Sequence, residues 1–418
     1  MGVERPSLES RIRRYYAFDM LVAFQLWSPF WTLWLFDHAD AFQATLVDIV
    51  FWIVSLLVTM PAGAIADRYG RKPALLVGVA IWDAGIVLFG LAGSLPIFAL
   101  ANGIWALGAA FMWGTASAYL YDTLAEAGQE ERYPKVVSRA AMLTYLATAA
   151  AVPLGGLLVF LTRSLAVPLL VYAVPGLAAL VVAATFREPA VRRQAATGLA
   201  GQIRMGLRTT RDHRPIVLVI VFQVLIGVVT YVMAFFRSPF ISEVVGGDFL
   251  LMGFVWSAFF VIAAVGGLSM GRLLDRVGEG GALRIAFFLV FPPFLVVYGS
   301  SAGWFAPGLG LTLAVLAQTP YYVLWGFEGP MVSTIINRRV GSSDRATVLG
   351  ISTFFVTLAL AIFEPLVGLL VDATDIGTAL ALMALVAVVP SAYVVAAFRR
   401  HETLVATPVA PPVLGRVP

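Results

Sequence analysis

The sequence contains no cysteine, only three histidines and two lysines, and charged side chains make up just 12% of its 418 residues. Without cysteine there is no disulfide, no thiolate metal site and no thiol nucleophile. The three histidines, two of them in charged segments (His213 and His401), leave no metal-ligand cluster, so no metal site is expected. No glycine loop followed by Lys and Ser/Thr is present, which argues against ATP as a direct energy source. No paired nucleophile and base stands out, so neither an enzyme nor a cofactor is expected.

What the sequence has in abundance is apolar length. Apolar residues make up 60% of it and the mean hydropathy is +0.89, against about 45–50% apolar in soluble domains. Such a chain cannot cover a globule with polar surface; it belongs in lipid. Twelve runs stand out, at 15–36, 42–66, 74–93, 96–122, 138–161, 165–186, 215–240, 250–274, 282–300, 306–335, 346–371 and 376–398. Each is close to the roughly 20 residues needed to cross a hydrocarbon core of about 30 Å. Stretches such as Ala74 to Trp82 lack the apolar–polar alternation of barrel strands, so the spans are helices. Arg11, Arg13 and Arg14 precede the first run and Ala39-Asp40-Ala41 mimics a cleavage site, but the length and bulky aromatics of the run mark a retained span.

An even number of spans puts both termini on one side. With that side cytoplasmic, 26 of the 28 Lys and Arg lie there, leaving Arg163 in an outer loop and Arg237 inside a span. The outer loops carry Asp37, Asp40, Asp248, Asp372 and Asp375 instead. This is the positive-inside pattern, so the net charge of +4 reports topology and not nucleic-acid binding. The expectation is a multi-pass protein with cytoplasmic termini, monomeric in the bilayer. Arg outnumbers Lys 26 to 2, which suggests a GC-rich prokaryotic genome and hence the plasma membrane.

The halves repeat one another. Gly63-x-x-x-Asp67-Arg68-x-Gly70 recurs as Gly271-x-x-x-Asp275-Arg276-x-Gly278, and Arg139 entering the fifth span is matched by Arg345 entering the eleventh. The division expected is a six-helix bundle over 1–186, a cytoplasmic linker over 187–214, a second bundle over 215–400 and a disordered tail over 401–418. Leu199, Ile203 and Leu207 suggest a short surface helix in the linker. Parallel repeats of this kind place a cavity at the midplane between the halves.

The run Gly63-x-x-x-Asp67-Arg68-x-Gly70-Arg71-Lys72 resembles the loop signature of the major facilitator superfamily, whose second copy falls where this chain repeats it. The segments 119–128 and 337–350 resemble a prokaryotic branch of uncharacterised and drug-efflux permeases. That branch usually carries Glu where Thr59 stands here, and Val152-Pro153-Leu154-Gly155-Gly156 is one residue short of the antiporter pattern. The resemblance implies two pseudo-symmetric six-helix bundles and secondary transport by alternating access. It also implies a latch: Asp67 against the start of the eleventh span at Ser342 to Arg345, and Asp275 against the fifth. Gly63 would let helices approach closely there, and Gly70 would permit the turn.

Charges at membrane depth are costly, so they are candidates for function. The spans hold Asp19, Asp48, Asp83, Asp122, Glu328 and Glu364 against the single base Arg237, a balance suited to cationic or neutral substrates and to protons as coupling ion. Helices 1, 4, 7 and 10 line the cavity in the superfamily, which makes Glu328 the leading candidate for substrate or proton binding. Tyr321, Tyr322 and Trp325 lie beside it, Trp27 and Trp31 are offered from span 1, and Asp83 is a further proton candidate. Arg237 needs a partner, with Asp48 (an outer gate) and Glu364 (a structural pair) equally placed by depth. Export of amphipathic compounds is the expected activity; an importer of a small metabolite, or a non-transporting receptor or assembly factor, are the alternatives.

Overall fold

A computed structural model of the chain describes residues 7–190, 210, 213–340 and 345–406, and these are helical nearly throughout. The first half comprises α1 (Leu8–Val22), α2 (Trp31–Phe36), α3 (Ala41–Tyr69), α4 (Arg71–Leu91), α5 (Leu95–Glu126), α6 (Tyr133–Thr162), α7 (Val167–Val171) and α8 (Ala173–Ala184). The second comprises α9 (Arg214–Val244), α10 (Phe249–Ser301), α11 (Pro307–Leu316), α12 (Thr319–Asn337), α13 (Arg345–Ala373) and α14 (Ile376–Ala406). Among the described residues, ten segments are long and apolar enough to cross a membrane; α10 supplies two of them, on either side of a kink at Gly278. The first and tenth spans complete the set of twelve, and both are broken.

The break in the first span departs from the continuous helix expected over 15–36. Helix α1 stops at Val22 and α2 starts at Trp31, with turns between and Pro29 in the gap. The carbonyls freed in this apolar setting are answered by side chains. The Tyr172 hydroxyl donates to Val22 O at 2.7 Å, and the Thr148 hydroxyl to Ala23 O at 2.7 Å. Gly155 explains why the break fits: a Cβ there would lie 2.1 Å from Leu26 O. The tenth span turns at Ala317 and Gln318 between α11 and α12.

The aspartates of the acidic loops start helices. Asp40 accepts from Gln43 N at 2.8 Å, Asp248 from Leu251 N at 3.0 Å and Asp375 from Thr378 N at 3.0 Å, capping α3, α10 and α14 where each enters the membrane. Thr378 also donates its hydroxyl to Asp375, and these bonds outweigh partial burial to hold the Asp375 carboxyl below its usual range.

The bundles pack α3 along α13, α6 along α10 and α2 against α9. Their tightest joints lie toward the acidic end. Asp372 of α13 accepts from the backbone N–H groups of Ala41 and Phe42, at 2.9 and 2.8 Å, so it caps α3 of the other bundle. A Cβ at Gly368 would stand 2.7 Å from Thr45 Oγ1, and one at Gly156 would stand 2.4 Å from Phe249 O. At the basic end, Arg11–Glu126 at 2.6 Å and Arg132–Glu9 at 2.8 Å each join helices of one bundle.

Candidate functional site

Helix α12 presents Tyr321, Trp325 and Glu328 at spacings of four and three, which puts them on one face. Glu328 is half-buried, makes no ion pair among the described residues and lies one turn beyond Trp325, on the α12 face that meets Tyr231 of α9. Tyr231 contacts Trp325 (ring centroids 5.9 Å apart) and, from the other bundle, Trp52 of α3 (5.4 Å). Tyr145 of α6 lies close to Trp325. Tyr231 touches both bundles, and it and Trp325 remain 37% and 38% exposed, leaving part of each ring open to the space beside that contact. Tyr231, Trp52 and Tyr145 were not singled out from sequence; isolated aromatics in apolar runs carry no signal of which way they face.

Arg237 pairs with neither of its two expected partners. It is 1% exposed, donates Nε to Gln318 Oε1 and Nη1 to Tyr322 Oη, both at 2.9 Å, and lies over the rings of Tyr321 (4.3 Å) and Tyr322 (4.6 Å). Two neutral acceptors and the ring faces therefore stand in for a carboxylate, while Nη2 has no hydrogen-bond partner among the described residues. The correction has a simple cause: depth along a helix was legible, but the direction each side chain takes around it was not. Tyr321 and Tyr322 consequently serve Arg237, while Trp325 and Glu328 face the shared space.

The acids left over meet each other. Asp48 and Glu364 are in side-chain hydrogen-bonding contact across the α3–α13 seam, and Trp52 Nε1 donates to Asp48 Oδ2 at 2.9 Å. Asp83 is placed elsewhere, packed against Gly176 between α4 and α8 and away from Glu328. Trp27 is core of the first bundle, edge-on to Trp105 at 4.7 Å. Trp31 meets Trp105 and, across to α9, Phe235 at 5.7 Å, so it belongs to the closure at the acidic end.

In the signature loop, Asp67 is 54% exposed and pairs with Arg71 at 2.8 Å; Arg71 also reaches Asp122 of α5 at 3.3 Å. Residues 341–344 and the side chains of Gly271, Asp275 and Arg345 lie outside the described residues, as does the linker segment with Leu199, Ile203 and Leu207. Gly63 makes no close approach: no atom lies within 4 Å of its Cβ position. Gly70 has φ +116, open only to glycine at low cost, and its bare Cα leaves room for the carboxyl of Glu188. Glu188 accepts from the N–H groups of Arg71 and Lys72, both at 2.7 Å, and so caps α4. Lys72 Nζ donates to Ala184 O at 2.6 Å, closing the C-terminal end of α8. Arg68 lies 5.4 Å from the Tyr69 ring, and Arg276 is exposed. In the second copy the charges are exchanged: Glu279, in the place of Arg71, pairs with Arg338 at 3.4 Å and Arg339 at 2.5 Å.

Against known proteins, the sequence profile of the Major Facilitator Superfamily matches residues 17–364. The chain belongs to the major facilitator superfamily. Among solved structures this superfamily member is similar to the nucleoside transporter NupG, with TM-score 0.72 and 15% identity over 94% of this chain and 100% of that one. It also resembles a bacterial homologue of the human lysosomal transporter Spinster, with TM-score 0.71 and 16% identity over 96% and 98%. Curated relatives match over shorter stretches. The sialic acid transporter NanX of Escherichia coli is 35% identical over 81 residues, and the multidrug resistance protein Stp of Mycobacterium tuberculosis 33% over 100. These stretches cover 19% and 24% of this chain, and about a fifth of the relatives' own length at 20% and 18%. The chain is thus a multi-pass membrane protein of a transporter family.

Proposed function

We propose that this protein is a proton-coupled secondary transporter that exports amphipathic or cationic small molecules by alternating access, with Glu328 as its binding and coupling acid. The observation that carries this is an acid without a cation partner among the described residues, on the same helix face as rings that meet both bundles. A carboxyl in such a place is neutralised either by a proton or by a cationic group. Competition of the two for one carboxyl is the elementary step of an antiporter. Tyr231, Trp325 and Trp52 supply the ring faces that suit an amphipathic cation.

The distribution of basic residues supports a cytoplasmic basic end and cytoplasmic termini in the plasma membrane. With the bundles joined toward the acidic end, the conformation is then closed outward. Asp67 acts as a latch on the start of α13 when the cytoplasmic end is closed. An import reading draws on the match to a sialic acid transporter, and hydrogen-bonding rings also suit a neutral solute. Flux of a panel of dyes and metabolites into everted and right-side-out vesicles, under an imposed pH gradient, separates the two. Accumulation in everted vesicles that is lost in Glu328→Gln supports export; gradient-driven uptake confined to right-side-out vesicles contradicts it.

A further inference from the structure

Asp48 and Glu364 take no part in the site built around Glu328, yet they come from opposite bundles and are 8% and 2% exposed. Their carboxyls are in hydrogen-bonding contact with each other. Such a bond needs a proton on one of the two, because a carboxylate only accepts. Among the described residues, the surroundings supply no cation in its place. From α5 the pair is faced by Asn102, whose Nδ2 is committed to Val47 O at 2.9 Å. From α9 it is faced through Trp52 by Tyr231, and the base of that helix, Arg237, is taken up by Gln318 and Tyr322. Helix α14 has no charged side chain between Ile376 and Phe398. Toward the acidic end the charged groups are His38, the acids Asp37, Asp40, Glu243, Asp248, Asp372 and Asp375, and Arg163, which closes α6 and lies over the Phe160 ring at 5.2 Å.

We propose that Asp48 and Glu364 form a proton-binding site at the α3–α13 seam, whose occupancy holds the acidic end of the transporter shut. With one proton the two carboxyls bind the bundles together. Without it, two buried carboxylates repel each other across the joint, and the seam is driven open. Opening brings the pair to water at that end, where the proton is replaced. The site takes its proton from the side it closes, as inward proton flow requires. This rests on the alternating-access reading above but not on Glu328 or on any particular substrate.

The absence of native cysteine allows a direct test. Spin labels at Ser94→Cys and Ala302→Cys, both exposed at the acidic end on opposite bundles, report the opening as a distance distribution in the full-length protein in nanodiscs. The open-to-closed ratio is expected to rise with pH, by at most about tenfold per unit for a single proton. Asp48→Asn and Glu364→Gln each leave an amide beside a carboxylate, a bond that needs no added proton. Both variants are therefore expected to stay closed across the pH range, and Asp83→Asn, packed between α4 and α8 away from this seam, to keep the wild-type response. Either of two variants suffices should one fail to fold. A wild-type distribution that ignores pH overturns the proposal, as does a wild-type pH response in Asp48→Asn or Glu364→Gln. Loss of the response in Glu328→Gln alone also overturns it and moves the proton to that residue. Absence of substrate flux with the expected distances leaves this site standing and removes the transport reading.

Discussion

Replacing Glu328 by Gln keeps shape and hydrogen bonding but removes the charge that a proton or a cation would neutralise. Gradient-driven flux is expected to fall at least about tenfold, as for loss of a group acting in general acid–base exchange, with the amount of folded protein unchanged; a flux assay beside an expression blot checks both. Arg237→Ala leaves Gln318 and Tyr322 without their buried donor, at a cost of about 1–3 kcal/mol for each group left unpaired. Thermal unfolding in detergent is expected to show the loss. Glu328 was legible in the sequence because an acid inside an apolar run is rare. The partners of Arg237 were not, because the search was for an opposite charge, and two tyrosines with a glutamine do that work as neutral groups.

At the scale of single helices, caps and breaks carry the predictions. Glu188 holds the first two N–H groups of α4, so Glu188→Ala is expected to cost about 0.5–2 kcal/mol, measurable as a lowered unfolding temperature. Gly155→Val is expected to prevent folding, since its Cβ would meet Leu26 O at 2.1 Å; failure to recover monodisperse protein would show it. Asp375 has a lowered carboxyl pKa in the folded state, so its contribution to stability is full above the ordinary aspartate range and is lost as pH falls through the folded value. Asp375→Asn is expected to flatten that acid limb of the unfolding curve. Pro29 was the sequence's only sign of the broken first span. Asp40, Asp248 and Asp375 were read as topology markers, although their spacing three residues ahead of Gln43, Leu251 and Thr378 already allowed a cap.

For the whole molecule, twelve apolar runs and a signature repeated at both halves were enough to give the two-bundle fold, because membrane crossing depends on length and composition alone. The joints between bundles depend on which face each helix turns to the other, and that needs the structure. Asp372 shows the difference: counted beforehand only as an outer acid, it clamps the start of α3 from the opposite bundle. Asp372→Asn is expected to shift the spin-label distances at the acidic end toward open, and Asp67→Asn to shift them toward closed. The most direct test of the account is proton-driven flux in sealed everted vesicles, comparing wild type with Glu328→Gln. Substrate accumulation on imposing an acidic interior, absent in the variant, is the expected result. Equal accumulation in both, or no pH-driven movement of any compound in either vesicle orientation, would contradict it.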